Sequence, residues 1–281
     1  MPSAADRGRS GSTWRAALAL APALLVVVVL VGAGMVGALR SSLGVIRAGW
    51  SQADAEAYRT LLSDPFFWDA LRFTIWIAAL STLLSAVLAV GLAAALRRSG
   101  AWARTLAALP VPVPHLAAAA LAVLWLGPGG IADRILGGLP VDIVRDPWGL
   151  GIVVVYVVKE TPFLALLVLG SWGPSVAARE EAAAVLGARP LQRLRWIVWP
   201  AIRGPLLTGC AVVAAFVIGA FEVPLVIGPT SPETLSELAL SATRTAGLEG
   251  RSLANATLIV ASALALAVAA VAATGLRRRR G

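Results

Sequence analysis

The sequence predicts an all-α integral membrane protein of six transmembrane helices, and three observations predict it. Hydrophobic residues make up 58% of the 281 and charged residues only 14%, against roughly 25% charged in an ordinary soluble domain. Mean hydropathy is +0.82. Six apolar runs are each long enough to cross a hydrocarbon core of about 30 Å, which takes about 20 helical residues. Threaded through a bilayer, those runs sort the charges by side. The runs are continuous rather than alternating, which favours helices over the strands of a barrel.

The first run, Ala16 to Leu39, carries no charge and follows Arg7, Arg9 and Arg15. It resembles a signal peptide in outline, but its 24 apolar residues exceed the roughly 7–15 of a cleaved signal. It reads as an uncleaved span. The others are Phe73 to Leu96, Thr105 to Gly127, Trp148 to Gly170, Leu206 to Gly228 and Leu253 to Leu276.

With the N-terminus inside, the inner segments hold Arg7, Arg9, Arg15, Arg97, Arg98, Arg104, Arg179, Arg189, Arg193, Arg195, Arg203 and Arg277 to Arg280. Their only acids are Asp6, Glu180 and Glu181. The outer segments balance Arg40, Arg47, Arg59, Arg72, Arg134, Arg145, Arg244 and Arg251 against ten acids. Cytoplasmic loops carry the Lys/Arg excess, so both termini are expected inside a multi-pass inner or plasma membrane protein. The net charge of +9 is therefore topological, facing membrane lipid, and nucleic acid is not an expected partner. Tryptophans such as Trp68, Trp102, Trp148, Trp172 and Trp199 stand near span ends, where an interfacial belt belongs.

Between the spans, Ser63 or Asp64 is placed to cap a short helix opened by Pro65. The loop "GPGGIADRILGGLPVDIVRDP" reads as irregular or re-entrant.

Chemistry is excluded more often than it is suggested. Lys159 is the sole lysine and is followed by Glu160, so the chain has no phosphate-binding G-x-x-x-x-G-K-[ST] loop. Cys210 is alone within a span and His115 is the only histidine; neither disulfide, thiolate metal site nor paired-His site can form. A single histidine with no carboxylate near it in sequence reads as a packing residue. No catalytic residue, cofactor or metal site is expected, and the chain is not expected to be an enzyme.

The segment from about 174 to 205 stands apart. Pro174 suits a first helical turn, Ser175 to Leu186 favour helix, and Gly187 suits the left-handed residue that ends one. Pro190 opens a second helix, Leu191 to Trp199, which Pro200 is expected to stop. Leu191, Leu194 and Val198 recur at helical spacing amid Gln192, Arg193 and Arg195. Helices of about a dozen residues are marginal alone in water and need a surface. The anionic inner leaflet and a cytoplasmic protein both qualify.

The spacing bears on that choice. Glu181-Ala182-Ala183, three residues, Gly187, nine residues, Ile197, one residue, Trp199-Pro200 resembles the EAA loop of permease subunits in bacterial ATP-binding-cassette importers. That pattern is E-A-A-x-x-x-G, nine residues, I-x-L-P; Trp199 replaces its leucine. Ala70 to Arg98 and the later stretches "LPVPVPHLAAAALAVLW", "YVVKETPFLALLVLG" and "GAFEVPLVIGPTSPETL" resemble the same transmembrane domain. The resemblance implies three regions. Residues 1–69 comprise the cytoplasmic N-terminus, first span and external loop. Residues 70–275 form the five-helix type-1 importer domain, and 276–281 a basic tail.

The resemblance also implies an ATP-driven importer subunit. Glu181, Ala182, Ala183, Gly187, Ile197 and Pro200 would couple it to a cytosolic ATPase dimer. A second permease subunit, homologous or identical, and an extracytoplasmic solute-binding protein would complete the assembly. Its substrate branch is polyamine first, then ferric iron or thiamine. The alternative from another class is a six-helix secondary transporter, which needs a set of intramembrane ionisable residues.

Only Lys159, Glu160 and Glu222 fall inside spans. At 1.5 Å per residue Lys159 lies about 16 Å from the outer face and Glu222 about 24 Å from the inner one. Adjacent helix positions do not face one another. The bland expectation is a Lys159–Glu222 ion pair bracing spans four and five, with Pro162 and Pro224 loosening each helix locally. The functional one is that Glu160 and Glu222 line a path for a cationic solute.

Overall fold

The computed structural model describes residues 4–45, 53–138, 143–244 and 247–277. Among them, six helical stretches are long and apolar enough to cross a membrane: Ala19–Ser42, Pro65–Leu96, His115–Leu136, Leu150–Ser171, Pro190–Gly219 and Glu249–Thr274. The expected fold class holds. The basic tail beyond Arg277, and Arg47 in the first outer loop, lie outside the described residues.

Helix α1 (Ala4–Ser42) leads to α2 (Glu56–Ser63) and α3 (Pro65–Leu96). The charge-free middle of α1 is exposed along its length, and its far end is pinned to the bundle by side chains. Ser42 Oγ and Tyr58 Oη lie 2.8 Å apart, and Asn255 Nδ2 donates to Ser41 Oγ at 3.1 Å. Asp64 does cap a helix, accepting from Phe66 N at 2.9 Å with Pro65 in the first position. That helix is the whole second span.

The core is built on α3 and α7 (Leu150–Ser171), which form the most extensive helix pair. Ala70, Thr74, Ala78, Ser81, Ser85, Ala89 and Ala93 are buried along one stripe of α3. Small residues at this spacing let backbones approach closely, which is how helices associate where lipid is as apolar as leucine. Trp76 Nε1 donates to the Trp148 carbonyl at 3.0 Å near the start of α7, and Arg97 stacks on Trp172 just past its end. The two helices therefore run side by side in the same direction.

Span three departs from expectation. In place of one helix over Thr105 to Gly127 there are α4 (Ala101–Ala108), a turn through Pro110, Pro112 and Pro114, and α5 (His115–Leu126). Three prolines in five residues remove three backbone donors, and the helical ladder lapses between Ala108 and His115. A short α6 (Ile131–Leu136) follows in the loop expected to be irregular.

The punctuation of span five also differs. After α8 (Pro174–Val185) and the one-turn α9 (Pro190–Arg193), the chain continues through a π-turn, Leu194–Val198, straight into α10 (Trp199–Gly219). Pro200 does not stop the second helix of this segment. A proline ring clashes with the carbonyl four residues back, here Trp196. The wider π-turn, in which Trp199 N–H reaches Leu194 O, shifts the ladder immediately before Pro200 and lets the rod pass. Pro162 likewise sits inside a continuous α7.

Span five breaks later, at Ala220, whose backbone is extended, and α11 (Glu222–Ile227) follows. Ser236 Oγ stands against the carbonyls of Ile218 and Gly219, 3.3 and 3.1 Å away, so the broken end is not left bare. Ser236 belongs to α12 (Leu235–Arg244), and the last span lies in α13 (Leu248–Arg277). The α10–α7 crossing is tight at Gly209, where a Cβ would come within 2.6 Å of Leu164 Cδ2 and 2.7 Å of Leu167 Cδ2.

Candidate functional site

Two constellations stand out, one at the loop between α8 and α10 and one in the middle of the bundle.

The first is local. Gly187 has φ +86°. Gly187 N–H reaches Ala184 O at 3.0 Å, and Ala188 N–H reaches Ala183 O at 2.9 Å. This reciprocal pair is a Schellman closure, which requires a left-handed residue at the position Gly187 holds. A Cβ on Gly187 would meet nothing within 4 Å, so the constraint there is conformational and not steric. The chain restarts at once, with Gln192 Oε1 accepting from Arg189 N at 2.8 Å. Two helices thus meet at a fixed corner.

What the corner presents is apolar. Val185 is 89% exposed, Leu186 87%, Leu191 73% and Trp196 71%, a concentration of bare hydrophobic side chains that marks an interaction surface. Glu181 and Ala182 are exposed beside it, Ala183 and Ile197 are half-buried, and Pro200 is exposed. The neighbouring Glu180 does the opposite. Its Oε2 lies 2.9 Å from Arg97 Nη1 and accepts from Trp172 Nε1 at 3.3 Å, while the Arg97 guanidinium sits 4.2 Å from the Trp172 ring centre. Sequence reasoning counted Glu180 only as a charge. Its partners are 83 and 8 residues away, and only the Arg97 end of α3 lying beside the Trp172 end of α7 joins them.

The second constellation surrounds "KE" in α7. Lys159 is 4% exposed, and its Nζ donates to the carbonyls of Pro110, Val111 and Val113 at 2.6, 3.1 and 2.5 Å. These belong to the proline turn that interrupts span three. Pro114 cannot supply the amide that a helix would offer Pro110 O, the turn leaves Val111 and Val113 outside any helical ladder, and in lipid there is no water to serve such carbonyls. The ammonium supplies all three bonds. Glu160, one residue on, reaches the other half of the same interruption: its Oε1 is 2.9 Å from His115 Nε2, at the first position of α5. The His115 ring lies 4.5 Å from Phe216 and 6.1 Å from Tyr156, centre to centre. Tyr156 is fully buried, and its hydroxyl has no hydrogen-bond partner among the described residues.

The expected Lys159–Glu222 ion pair does not form. Lys159 is committed to backbone carbonyls. Glu222 opens α11 half-buried, beyond the break at Ala220, and has no hydrogen-bond or ion-pair partner among the described residues. The fifth span, expected to run unbroken to Gly228, breaks two residues before Glu222. His115, read from sequence as a packing residue, proves to be Glu160's partner. The available signal was its position directly after three prolines, where a helix restarts.

No family profile matches the chain. Curated relatives do. It is 30% identical over 204 residues to the thiamine transport system permease protein ThiP of Salmonella typhimurium, covering 71% of this chain and 38% of that protein. It is 27% identical over 185 residues to the inner membrane ABC transporter permease protein YnjC of Escherichia coli, covering 64% of this chain and 35% of that one. The chain therefore spans well under half the length of these relatives. Among solved structures, a bacterial alginate ABC transporter in complex with an alginate-pentasaccharide-bound periplasmic protein matches with a TM-score of 0.73. That match is 18% identical and covers 95% of this chain and 96% of that chain. The fold and the sequence similarity agree: the chain is an all-α, multi-pass membrane protein similar to permease proteins of ABC transporters.

Proposed function

We propose that the chain is the permease subunit of a binding-protein-dependent importer, driven by ATP hydrolysis on a separate ATPase chain. The observation that carries this reading is the Gly187 corner, which holds two short helices at a fixed angle and bares Val185, Leu186, Leu191 and Trp196 beside an outward Glu181. A lipid-facing amphipathic helix presents one apolar stripe along its axis. Here the apolar groups cluster at a bend, which suits a groove in a protein. Glu181, Ala182, Ala183, Gly187, Ile197 and Pro200 form that coupling element, and residues 70–275 the transport domain. Both termini face the cytoplasm, and a second permease subunit and an extracytoplasmic binding protein complete the assembly.

The polar knot supports a path for a cation. Glu222 and the His115–Glu160 pair, with the exposed Phe216 ring beside His115, offer negative charge and aromatic surface, a combination that attracts organic cations. Similarity to thiamine permeases moves thiamine ahead of polyamines and ferric iron as the substrate. Lys159 serves this path by holding the span-three turn, without touching solute. Its commitment to backbone weakens the secondary-transporter alternative, because it leaves too few free ionisable groups for an ion relay.

Affinity purification of the tagged chain from cells expressing the whole transport system tests the reading. An ATPase subunit is expected to co-purify in stoichiometric amount, and reporter fusions at the C-terminus are expected to report a cytoplasmic location. Purification without any ATPase, or an external C-terminus, overturns it.

A further inference from the structure

The structure assigns a coupling role to three residues outside the corner itself: we propose that Arg97, Glu180 and Trp172 form a bracket through which movement of α8 is passed to α3. The inference rests on the coupling reading above. It begins with connectivity. Helix α8 is joined by chain to α7 through the Trp172–Gly173 turn and to α10 through the corner, so those two spans must follow it. Helix α3 has no such link to α8 and is not among the helices it packs broadly against. Yet α3 is half of the central helix pair. Packing of α7 on α3 passes some of that movement on, and a side chain that ties α8 to α3 directly would add to it.

Arg97 is placed to do so. It ends α3, with its N–H still bonded to Ala93 O, and its guanidinium is held twice: by Glu180 Oε2 at 2.9 Å and by the Trp172 ring at 4.2 Å. Trp172 Nε1 donates to that same Glu180 oxygen, which closes a triangle of three elements. The Arg97 and Glu180 side chains are only 23% and 19% exposed, so the pair is less screened than a surface ion pair. The planar guanidinium can accept the stack and the ion pair together, which an ammonium cannot. Arg104 anchors the same helix end, donating to Leu96 O at 3.1 Å and Arg97 O at 3.4 Å. The end of α3 is therefore tied down by Arg104 and tied to α8 by Arg97.

Neighbouring positions on a helix point about 100° apart, so Glu180 and Glu181 divide the work. Glu181 faces out toward a partner, and Glu180 faces in toward the chain's own second span. Loss of Glu181 should be felt as weaker docking. Loss of Glu180 should be felt as docking without transmission.

The test uses the complete transporter, purified with its ATPase and reconstituted in proteoliposomes with its binding protein. Uptake per ATP hydrolysed is measured alongside ATPase retention for Glu180→Gln, Arg97→Gln and the double variant. Each single variant is expected to keep its ATPase and lose about tenfold in uptake per ATP, the scale of one lost charge-assisted hydrogen bond. The double variant is expected to lose no more than either single one, since two members of one contact are non-additive. Arg97→Lys, which keeps charge but not the stack, should fall between. Unchanged uptake per ATP in both singles overturns the bracket, as does an additive loss in the double. Loss of the ATPase from Glu180→Gln also overturns it, by making Glu180 a docking residue. Failure of the unaltered chain to retain any ATPase defeats the coupling reading instead, and the two failures are separable in one preparation.

Discussion

The corner at Gly187 and the knot at Lys159 are both interruptions of helix, and they are finished in opposite ways. At Gly187 the backbone closes on itself through bonds within five residues, and the side chains are left bare. At Lys159 the proline turn of span three closes on itself only in part, and a side chain from another helix completes it. The first arrangement leaves a surface for something outside the chain. The second consumes its polar groups within the chain and leaves rigidity. The setting decides between them. Water can satisfy a loose carbonyl at the membrane edge, whereas in the hydrocarbon each unsatisfied group costs several kcal/mol. An interruption at depth therefore has to carry its own donor, as Lys159 does for span three and Ser236 for span five.

The strongest way to break this contrast is Lys159→Met. It removes the donor to Pro110, Val111 and Val113 while keeping a long apolar side chain. Pro110 O keeps its bond from Val113 N–H, but leaving the Val111 and Val113 carbonyls unpaired in hydrocarbon costs about 1–3 kcal/mol each, so folded protein recovered in detergent should fall and its melting temperature with it. An unaltered melting temperature would mean that the proline turn needs no ammonium.

At the corner the expected damage is smaller and of another kind. Gly187→Val places a β-branched residue in the left-handed region, at a cost of roughly 1–2 kcal/mol, with no clash to add to it. The spans should insert and melt nearly as before while the chain loses its ATPase on purification. Glu181→Lys should weaken retention in the same assay to a lesser degree, because one exposed charge is worth about 0–1 kcal/mol. If both variants hold the ATPase as firmly as the unaltered chain, the corner is not the docking element.

The same contrast explains what the sequence disclosed. Spans, the helix stop at Gly187 and the cap at Asp64 depend on residues within a few positions of one another, and all were legible. Hydropathy alone could not see the break in span three, since alanine and valine around the prolines keep the run apolar. Pro200 misled for the converse reason: a proline looks like a stop, but a π-turn one residue upstream absorbs it. The pairings Lys159 to Pro110, Glu160 to His115 and Glu180 to Arg97 were out of reach. Each joins residues 45 to 83 apart, and nothing local marks one end for the other.

Glu222 makes the finest test, because it belongs to neither class. It sits at an interruption at depth, like Lys159, yet has no partner among the described residues. Were it structural, its partner would be the lysine, and Glu222→Gln would destabilise the protein while Lys159→Met restored it. Lys159 is already engaged by three carbonyls, so no such rescue is expected. The double variant should melt like Lys159→Met alone. Glu222→Gln by itself should leave the melting temperature within about a degree or two, as replacements outside buried networks do. Its effect should appear in transport, as a several-fold lower rate for a cationic solute, the scale of about 1 kcal/mol. Uptake of labelled thiamine and melting temperature, measured on the same four preparations, decide the matter. A stabilising double variant would return Glu222 to the scaffold and remove it from the path.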